Sequence, residues 1–222
     1  MHTQRFDIYR LIHKGLRAYL SDTLLAVGRM DLESTPDVHS GLDALNGLLD
    51  FCESHLRHEN AFIHPALEQA ESGSAEAMND HHQHHEVLIA ELRAMVHQLK
   101  TAEPSAREAR AAQLYRTLAL FVADNMAHMH EEETRNNELL WRAYSDEQIM
   151  LIHDAILRSI PDAEHQVAMR WMLAAFNHQE RQRMLQEIQR SAPRQVFDGT
   201  LELARCTLPG NDWNKLQTAI GC

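Results

Sequence analysis

The first two thirds of the 222-residue sequence contain four segments in which apolar residues recur at alternating steps of three and four. This spacing places one apolar stripe along a helix, so each segment predicts an amphipathic α-helix. We name the predicted helices A to D; their stripes begin at Phe6, Leu42, Met78 and Leu114. Only 8 Gly and 6 Pro are present to interrupt helices. The pattern predicts an all-α fold in which the four helices form an up-down bundle.

The last third of the sequence also has a helical composition. Ser145 and Gln148 match a capping box, which predicts a helix start. We expect helices over residues 146–159, 161–190 and 194–207, with a short one after Pro209-Gly210. We therefore predict a bundle domain over residues 1–144. A C-terminal helical extension over residues 145–222 would pack on the bundle or form a homodimer.

Composition excludes several classes of protein. The net charge of −11 argues against nucleic acid as a partner, because phosphate binding needs clustered Lys and Arg. No apolar stretch reaches the roughly 20 residues needed to span a bilayer, and the first thirty residues have no signal-peptide pattern. The 3 cysteines form no C-x-x-C pair, which indicates reduced thiols rather than a disulfide framework. We expect a cytoplasmic protein with no membrane partner.

Each of the four apolar stripes contains a histidine or a glutamate where a core residue is expected. Residues four apart on a helix lie on one face, about 5 to 6 Å apart at Cβ, so such pairs can converge on one site. Buried polar groups must be paired or bound to something, and histidine is the commonest metal ligand. The pattern therefore predicts a metal site built from His13 in helix A, His55 and Glu59 in B, His81 and His85 in C, and His128 and Glu132 in D.

The donor types indicate iron. Imidazole and carboxylate suit iron, and a carboxylate can bridge two metal ions. The sequence contains no Glu-x-x-His, the motif of ferritin-like di-iron proteins. One assignment depends on the exact register: His82 borders the helix C stripe and could replace His81. His64 precedes Pro65 and is expected to cap a helix or face solvent.

Four segments resemble the hemerythrin-like, or HHE cation-binding, proteins. They are LIHKGLR at 11–17, HLRHEN at 55–60, HHQHHEVL at 81–88 and HMHEEE at 128–133. The resemblance covers about residues 1–142. It implies a bundle that holds two iron ions, bridged by two carboxylates and by oxo or hydroxo, and that meets dioxygen, nitric oxide or iron itself. It also implies that the seven residues of the predicted site are the ligands. Zinc could occupy such a site after expression.

The second carboxylate has two candidates. The best-known hemerythrins place an Asp five residues after the helix D histidine, where this sequence has Glu133. Many HHE relatives use a Glu four residues after it, which is Glu132 here. The apolar register favours Glu132.

Three functions are consistent with this site. The favoured one is a non-haem di-iron protein that binds or senses a small ligand, namely dioxygen, nitric oxide or iron itself. The alternative is a di-iron enzyme that acts on peroxide or nitric oxide, or that donates iron for iron-sulfur cluster repair. The third is a structural helical bundle with adventitious zinc or no metal. The sequence has no phosphate loop and no nucleophile with a partnered base, so hydrolytic chemistry has no support.

Overall fold

A computed structural model describes residues 5–221. Every regular element in this range is helical, so the predicted all-α class is confirmed. The α-helices are α1 Arg10–Gly28, α2 Thr35–His58, α3 His64–Ala70, α4 Glu76–Lys100, α5 Pro104–Glu131, α6 Asn137–Ala143, α7 Asp146–Ser159, α8 Asp162–Ala175, α9 His178–Ser191, α10 Arg194–Thr207 and α11 Gly210–Ile220. Among these residues, no helix is both long and apolar enough to cross a membrane. The four-helix bundle stays a prediction.

Two π-helical turns join α-helices into longer rods. The first, Glu59–Ile63, lies between α2 and α3, and the second, Glu132–Asn136, lies between α5 and α6. A π turn contains one more residue per hydrogen-bonded ring than an α turn, and such turns occur frequently at functional sites. Predicted helices B and D therefore continue beyond their histidine and glutamate, each with a local change in helical register.

The described chain forms two compact units. The first contains residues 5–10 and Tyr19–Ile160, and the second contains Leu11–Ala18 and residues 161–221. Helix α7 belongs to the first unit. The domain limit at residues 144 and 145, like the dimer, stays a prediction.

Apolar packing holds the long helices of the first unit together. Ser34 caps the start of α2: its hydroxyl accepts a hydrogen bond from the backbone N–H of Asp37. Its leucines Leu42, Leu45 and Leu48 are completely buried. Helix α4 packs against both α2 and α5. Each fully buried leucine contributes roughly 1.5 to 3 kcal/mol, so this core fixes which faces of α2, α4 and α5 point inward.

Polar contacts fasten α7 within the first unit. The predicted capping box is confirmed: the Ser145 hydroxyl accepts from the Gln148 backbone, and the Gln148 side chain accepts from the Ser145 backbone. The Arg5 guanidinium bonds to Asp146 at 2.6 Å and to the carbonyl of Tyr144 at 2.7 Å. Ile149 of α7 is buried in the same cluster as Tyr9. The N-terminal segment and α7 thus share one core.

The second unit differs from the sequence-based expectation in one respect. The prediction of a single helix over residues 161–190 is wrong, because the chain breaks at Phe176 between α8 and α9. Asn177 caps α9, and its side chain and that of Glu180 form a reciprocal capping box. Arg181 is buried and donates to the Leu173 carbonyl at 2.8 Å, which satisfies an acceptor at the end of α8. The core of the unit contains Leu173, Leu185, Phe197, Ala204, Leu208, Leu216 and Ile220.

Candidate metal centre

Four buried side chains of the first unit form a compact group of metal-ligating type. They are Glu59, His82, His128 and Glu132, with exposed fractions of 2%, 1%, 4% and 0%. One nitrogen or oxygen atom from each lies within 4.8 Å of the corresponding atoms of the other three. We call these four residues the His/Glu group.

The distances within the His/Glu group suit a shared ion. His82 Nε2 lies 3.1 Å from His128 Nε2 and 3.6 Å from Glu59 Oε2. It lies 4.0 Å from Glu132 Oε1, and His128 Nε2 lies 3.3 Å from Glu132 Oε2. His82 comes from α4 and His128 from α5, and Glu59 and Glu132 are the first residues of the two π turns, so separate elements direct side chains to one place. The imidazole nitrogens and the carboxylate oxygens converge rather than pointing away from one another.

Two helices present the same His-x-x-x-Glu pair to this place. His55 Nε2 lies 3.2 Å from Glu59 Oε1, and the side chain of His55 is only 12% exposed. The pair of His128 and Glu132 has nearly the same separation, 3.3 Å. Each glutamate directly follows the last residue of an α-helix and keeps helical backbone angles, so the step from histidine to glutamate retains the α-helical geometry in which residues four apart share a face.

Burial sets the protonation of the His/Glu group. It lowers the pKa of His82 to about 4 and the pKa of His128 to about 2, with Glu59 acting in the opposite direction. Both imidazoles are therefore neutral at pH 7, with a nitrogen lone pair available. Burial, reinforced by the carboxylates of Glu59 and Glu133, raises the pKa of Glu132 well above its ordinary value.

The remaining predicted residues outside predicted helix C are His13 and the second carboxylate. His13 lies on α1, in the Leu11–Ala18 segment, and is completely buried. Of the two candidates for the second carboxylate, Glu132 is completely buried and belongs to the His/Glu group, whereas Glu133 is half-buried.

The structure corrects the register of predicted helix C. His81 is exposed, and His82 takes its place in the buried stripe. Downstream, the expected steps of three and four from Met78 lead to Leu88 and Met95, but the buried residues are Ile89 and Val96. Two stripes offset by one residue share Met78, His85, Leu92 and Leu99, so alternation alone does not separate them.

His85 is buried as predicted for a ligand, but it is held by another side chain. Its Nε2 lies 2.8 Å from Asp124 Oδ2, and Asp124 is about half exposed. Its Nδ1 is buried without a hydrogen-bond partner within residues 5–221. The imidazole centroid lies 5.0 Å from that of His128. The structure therefore places His85 beside the His/Glu group rather than in it.

Sequence reasoning missed a layer of polar residues around the group. His64, expected to cap a helix or face solvent, is 4% exposed, and its Nδ1 bonds to Asn79 Oδ1 at 2.6 Å. His82 Nδ1 bonds in the same way to Asn60 Oδ1, also at 2.6 Å. Each contact joins residues far apart in sequence, so no spacing along one helix could have indicated them.

The donor chemistry fits a divalent cation. Two carboxylates placed close together and away from water repel each other, and desolvation further disfavours their charged forms. A cation held by Glu59 and Glu132 would offset both effects, and the neutral imidazoles of His82 and His128 would supply lone pairs to it. Mixed imidazole and carboxylate donors are those that iron and zinc accept in proteins. The group thus has the composition of a metal centre.

Comparison with known proteins assigns the chain to a family. Neither the curated proteins nor the solved structures gave a match to it. The family model of the hemerythrin HHE cation binding domain matches residues 5–140, which include every member of the His/Glu group. This match covers more than half of the chain, and it agrees with the helical fold and with the buried histidines and glutamates. The chain belongs to the hemerythrin family of HHE cation-binding domains.

Proposed function

We propose that this protein binds two non-haem iron ions and uses them to bind or sense a small ligand, namely dioxygen, nitric oxide or iron itself. The observation that carries the proposal is the convergence of Glu59, His82, His128 and Glu132 within 4.8 Å of one another in a buried site. Family membership supports cation binding, and the donor types favour iron.

The proposed ligands number six: His13, His55, Glu59, His82, His128 and Glu132. His82 replaces His81 because it is the buried histidine of the two, and His85 is left out because it is not among the side chains whose donor atoms converge within 4.8 Å. His13 and His55 are kept because the sequence register and the family resemblance both assign them, and both are largely shielded from water. Glu59 and Glu132 are the proposed bridging carboxylates.

Two features support a small-ligand role. Two iron ions that share six protein side chains retain coordination positions for an external molecule. The four members of the His/Glu group are 4% exposed or less, so a bulky substrate has little access to them. When bound, the iron supplies reversible ligation or electron transfer; the side chains hold it, keep it from solvent and set the local charge.

Metal analysis of anaerobically purified, iron-reconstituted protein tests the proposal. We expect close to two iron ions per chain, and a change in the optical spectrum on addition of dioxygen or nitric oxide. A stoichiometry of one iron would contradict the dinuclear site. Absence of any spectral response to either gas would contradict the ligand role, and steady turnover of peroxide or nitric oxide would favour the enzymatic alternative. Zinc bound after expression must be removed first, because zinc competes well with ferrous iron.

A further inference from the structure

Two histidine–asparagine pairs connect the α2–α3 rod to α4 beside the His/Glu group. His82 of α4 bonds to Asn60 of the first π turn, and His64 of α3 bonds to Asn79 of α4. Both contacts join an imidazole Nδ1 to an amide Oδ1 at 2.6 Å. The two imidazole rings stack with centroids 4.7 Å apart and planes 27° from parallel. The pairs are therefore reciprocal: the α2–α3 rod provides one histidine and one asparagine, and so does α4.

The amide oxygen determines which nitrogen of each ring carries hydrogen. An amide oxygen only accepts hydrogen bonds, so the Nδ1 atom that contacts it must be the donor. In a neutral imidazole the other nitrogen, Nε2, then has a lone pair and no hydrogen. For His82, Nε2 is the atom that lies near Glu59, His128 and Glu132.

We infer that Asn60 is a positioning residue, which holds His82 in its Nδ1–H tautomer and turns the Nε2 lone pair toward Glu59 and Glu132. Histidine ligands of metals depend on such a partner at the second nitrogen, which fixes the ring orientation and raises ligand basicity. The inference about metal binding rests on the proposed function, but the tautomer and orientation do not.

Asn60 has this role although its surroundings look ordinary. It is exposed and directly follows Glu59, so it lies inside the π turn that begins at that glutamate. The side chain of an exposed asparagine usually points into solvent. The amide oxygen of Asn60 instead accepts a hydrogen bond from the imidazole of His82, which is 1% exposed. The π turn thus carries a proposed ligand and the residue that orients a second one.

The tautomer of His82 in the metal-free full chain is the first test. Nitrogen-15 NMR of histidine-labelled protein distinguishes protonated from unprotonated ring nitrogens, and loss of one signal in H82Q assigns that residue. We expect hydrogen on Nδ1 in the wild type and a mixture of tautomers in N60A. An Nε2–H tautomer in the wild type, or an unchanged spectrum in N60A, would overturn the inference.

Metal affinity is the second test, with Asn79 as the matched control. Titration with ferrous iron alone, under anaerobic conditions, should show a 10- to 100-fold loss of affinity in N60A, the usual effect of removing such a partner. N60D keeps an acceptor oxygen and should restore most of the affinity. N79A removes an identical 2.6 Å contact from His64, which is outside the His/Glu group, and should change the affinity by less than about threefold.

The outcomes separate this inference from the proposed function. If the wild type binds two iron ions and N60A binds them equally well, the positioning role fails while the iron site stands. Equal losses in N60A and N79A would also defeat it, because they would indicate general loosening of the helices. If the wild type binds no iron but the NMR result in metal-free protein is as expected, the proposed function fails and the orientation of His82 by Asn60 stands.

Discussion

Glu59 and Glu132 occupy equivalent positions on two separate rods: each lies four residues after a histidine, and each is the first residue of a π-helical turn. The two His–Glu separations, 3.2 and 3.3 Å, are nearly the same. An extra residue in a helix rotates everything after it by about 100° relative to an uninterrupted α-helix. In both rods this rotation begins at the carboxylate, so the His–Glu pair is kept on one face while the residues beyond it turn to another.

Replacement of Glu132 by alanine should empty the site of most of its iron. Glu132 is completely buried between His82 and His128, and we propose it as a bridging carboxylate. If Glu132 bridges two ions as proposed, its loss removes a ligand from both of them. We expect E132A to retain a small fraction of the wild-type iron and to lose the gas-dependent optical change, as measured by metal analysis and absorption spectroscopy.

Glu133 provides the control for this prediction. It has the same side chain one residue further along and is only half-buried. We expect E133A to keep both iron and the optical response, and to change the free energy of unfolding by at most about half a kcal/mol. Loss of iron in E133A with retention in E132A would mean that the α5 histidine is followed by a ligand at the five-residue spacing.

His81 and His82 offer a second adjacent pair of variants. His82 Nε2 lies 3.1 Å from His128 Nε2, whereas His81 is exposed. We expect H82A to lose at least tenfold in iron affinity and H81A to stay within about threefold of the wild type. Iron titration monitored by absorbance measures both. Equal affinity in H82A and wild type would remove α4 from the proposed ligand set.

The register of α4 marks the limit of what its sequence could predict. The expected stripe takes steps of three and then four from Met78, and the observed stripe takes four and then three. Both have a histidine at the second position, since His81 and His82 are adjacent, both share His85, and both are otherwise apolar. The choice depends on packing against α2 and α5, which a single helix pattern does not contain.

Other elements were predictable where the signal was local. The helical class and the capping box at Ser145 depend on residues within a few positions of each other. The break at Phe176 escaped because it has no glycine or proline, although Asn177 and Glu180 form a capping box that could have revealed it. The π turns have no sequence signature of this kind. The contacts of Asn60 and Asp124 required the tertiary fold.

The pH dependence of stability should reveal the buried state of His128. Burial lowers the pKa of His128 to about 2, against roughly 6.5 in an unfolded chain. Between these values the unfolded chain binds more protons than the folded one, so the free energy of unfolding falls as the pH is lowered. One such group contributes a slope of about 1.4 kcal/mol per pH unit. We expect the free energy of unfolding of metal-free H128Q to fall less steeply with decreasing pH than that of the wild type, by this amount, between pH 6 and 4. Urea unfolding experiments at a series of pH values measure the difference.

His82 should affect the pH dependence of stability over a narrower pH range than His128. Its pKa is lowered to about 4, so H82Q should also flatten the profile, but the difference from the wild type should stop growing near pH 4. Glu132 acts with the opposite sign, because its raised pKa stabilises the folded state at low pH and this contribution is lost as the pH rises. Since Glu132 is present in all three proteins, its main effect cancels in the differences. Identical slopes for H128Q and wild type would show that His128 is accessible to protons.

We expect the hydrogen bonds of Arg181 to contribute strongly to the stability of the second unit. It is 7% exposed and donates to the carbonyls of Leu173 and Ala174 at 2.8 and 3.3 Å and to Asp212 at 2.7 Å. R181A leaves acceptors at the end of α8 without these donors, which costs about 2 kcal/mol. Hydrogen exchange followed by mass spectrometry should show protection reduced by about 30-fold in peptides from residues 161–221.

The matched control is Arg190, on the same helix as Arg181. Its guanidinium pairs with Glu187 at 2.8 Å, but both side chains are more than half exposed, and an exposed pair of this kind contributes at most about 1 kcal/mol. We expect R190A to leave protection in α8 and α11 within about fivefold of the wild type. If R181A and R190A had equal effects, the buried hydrogen bonds to the α8 carbonyls would not be what stabilises this unit. If R181A lowered protection in α2 and α5 by the same factor, the two units would unfold together and the assignment of Arg181 to local stability would be wrong.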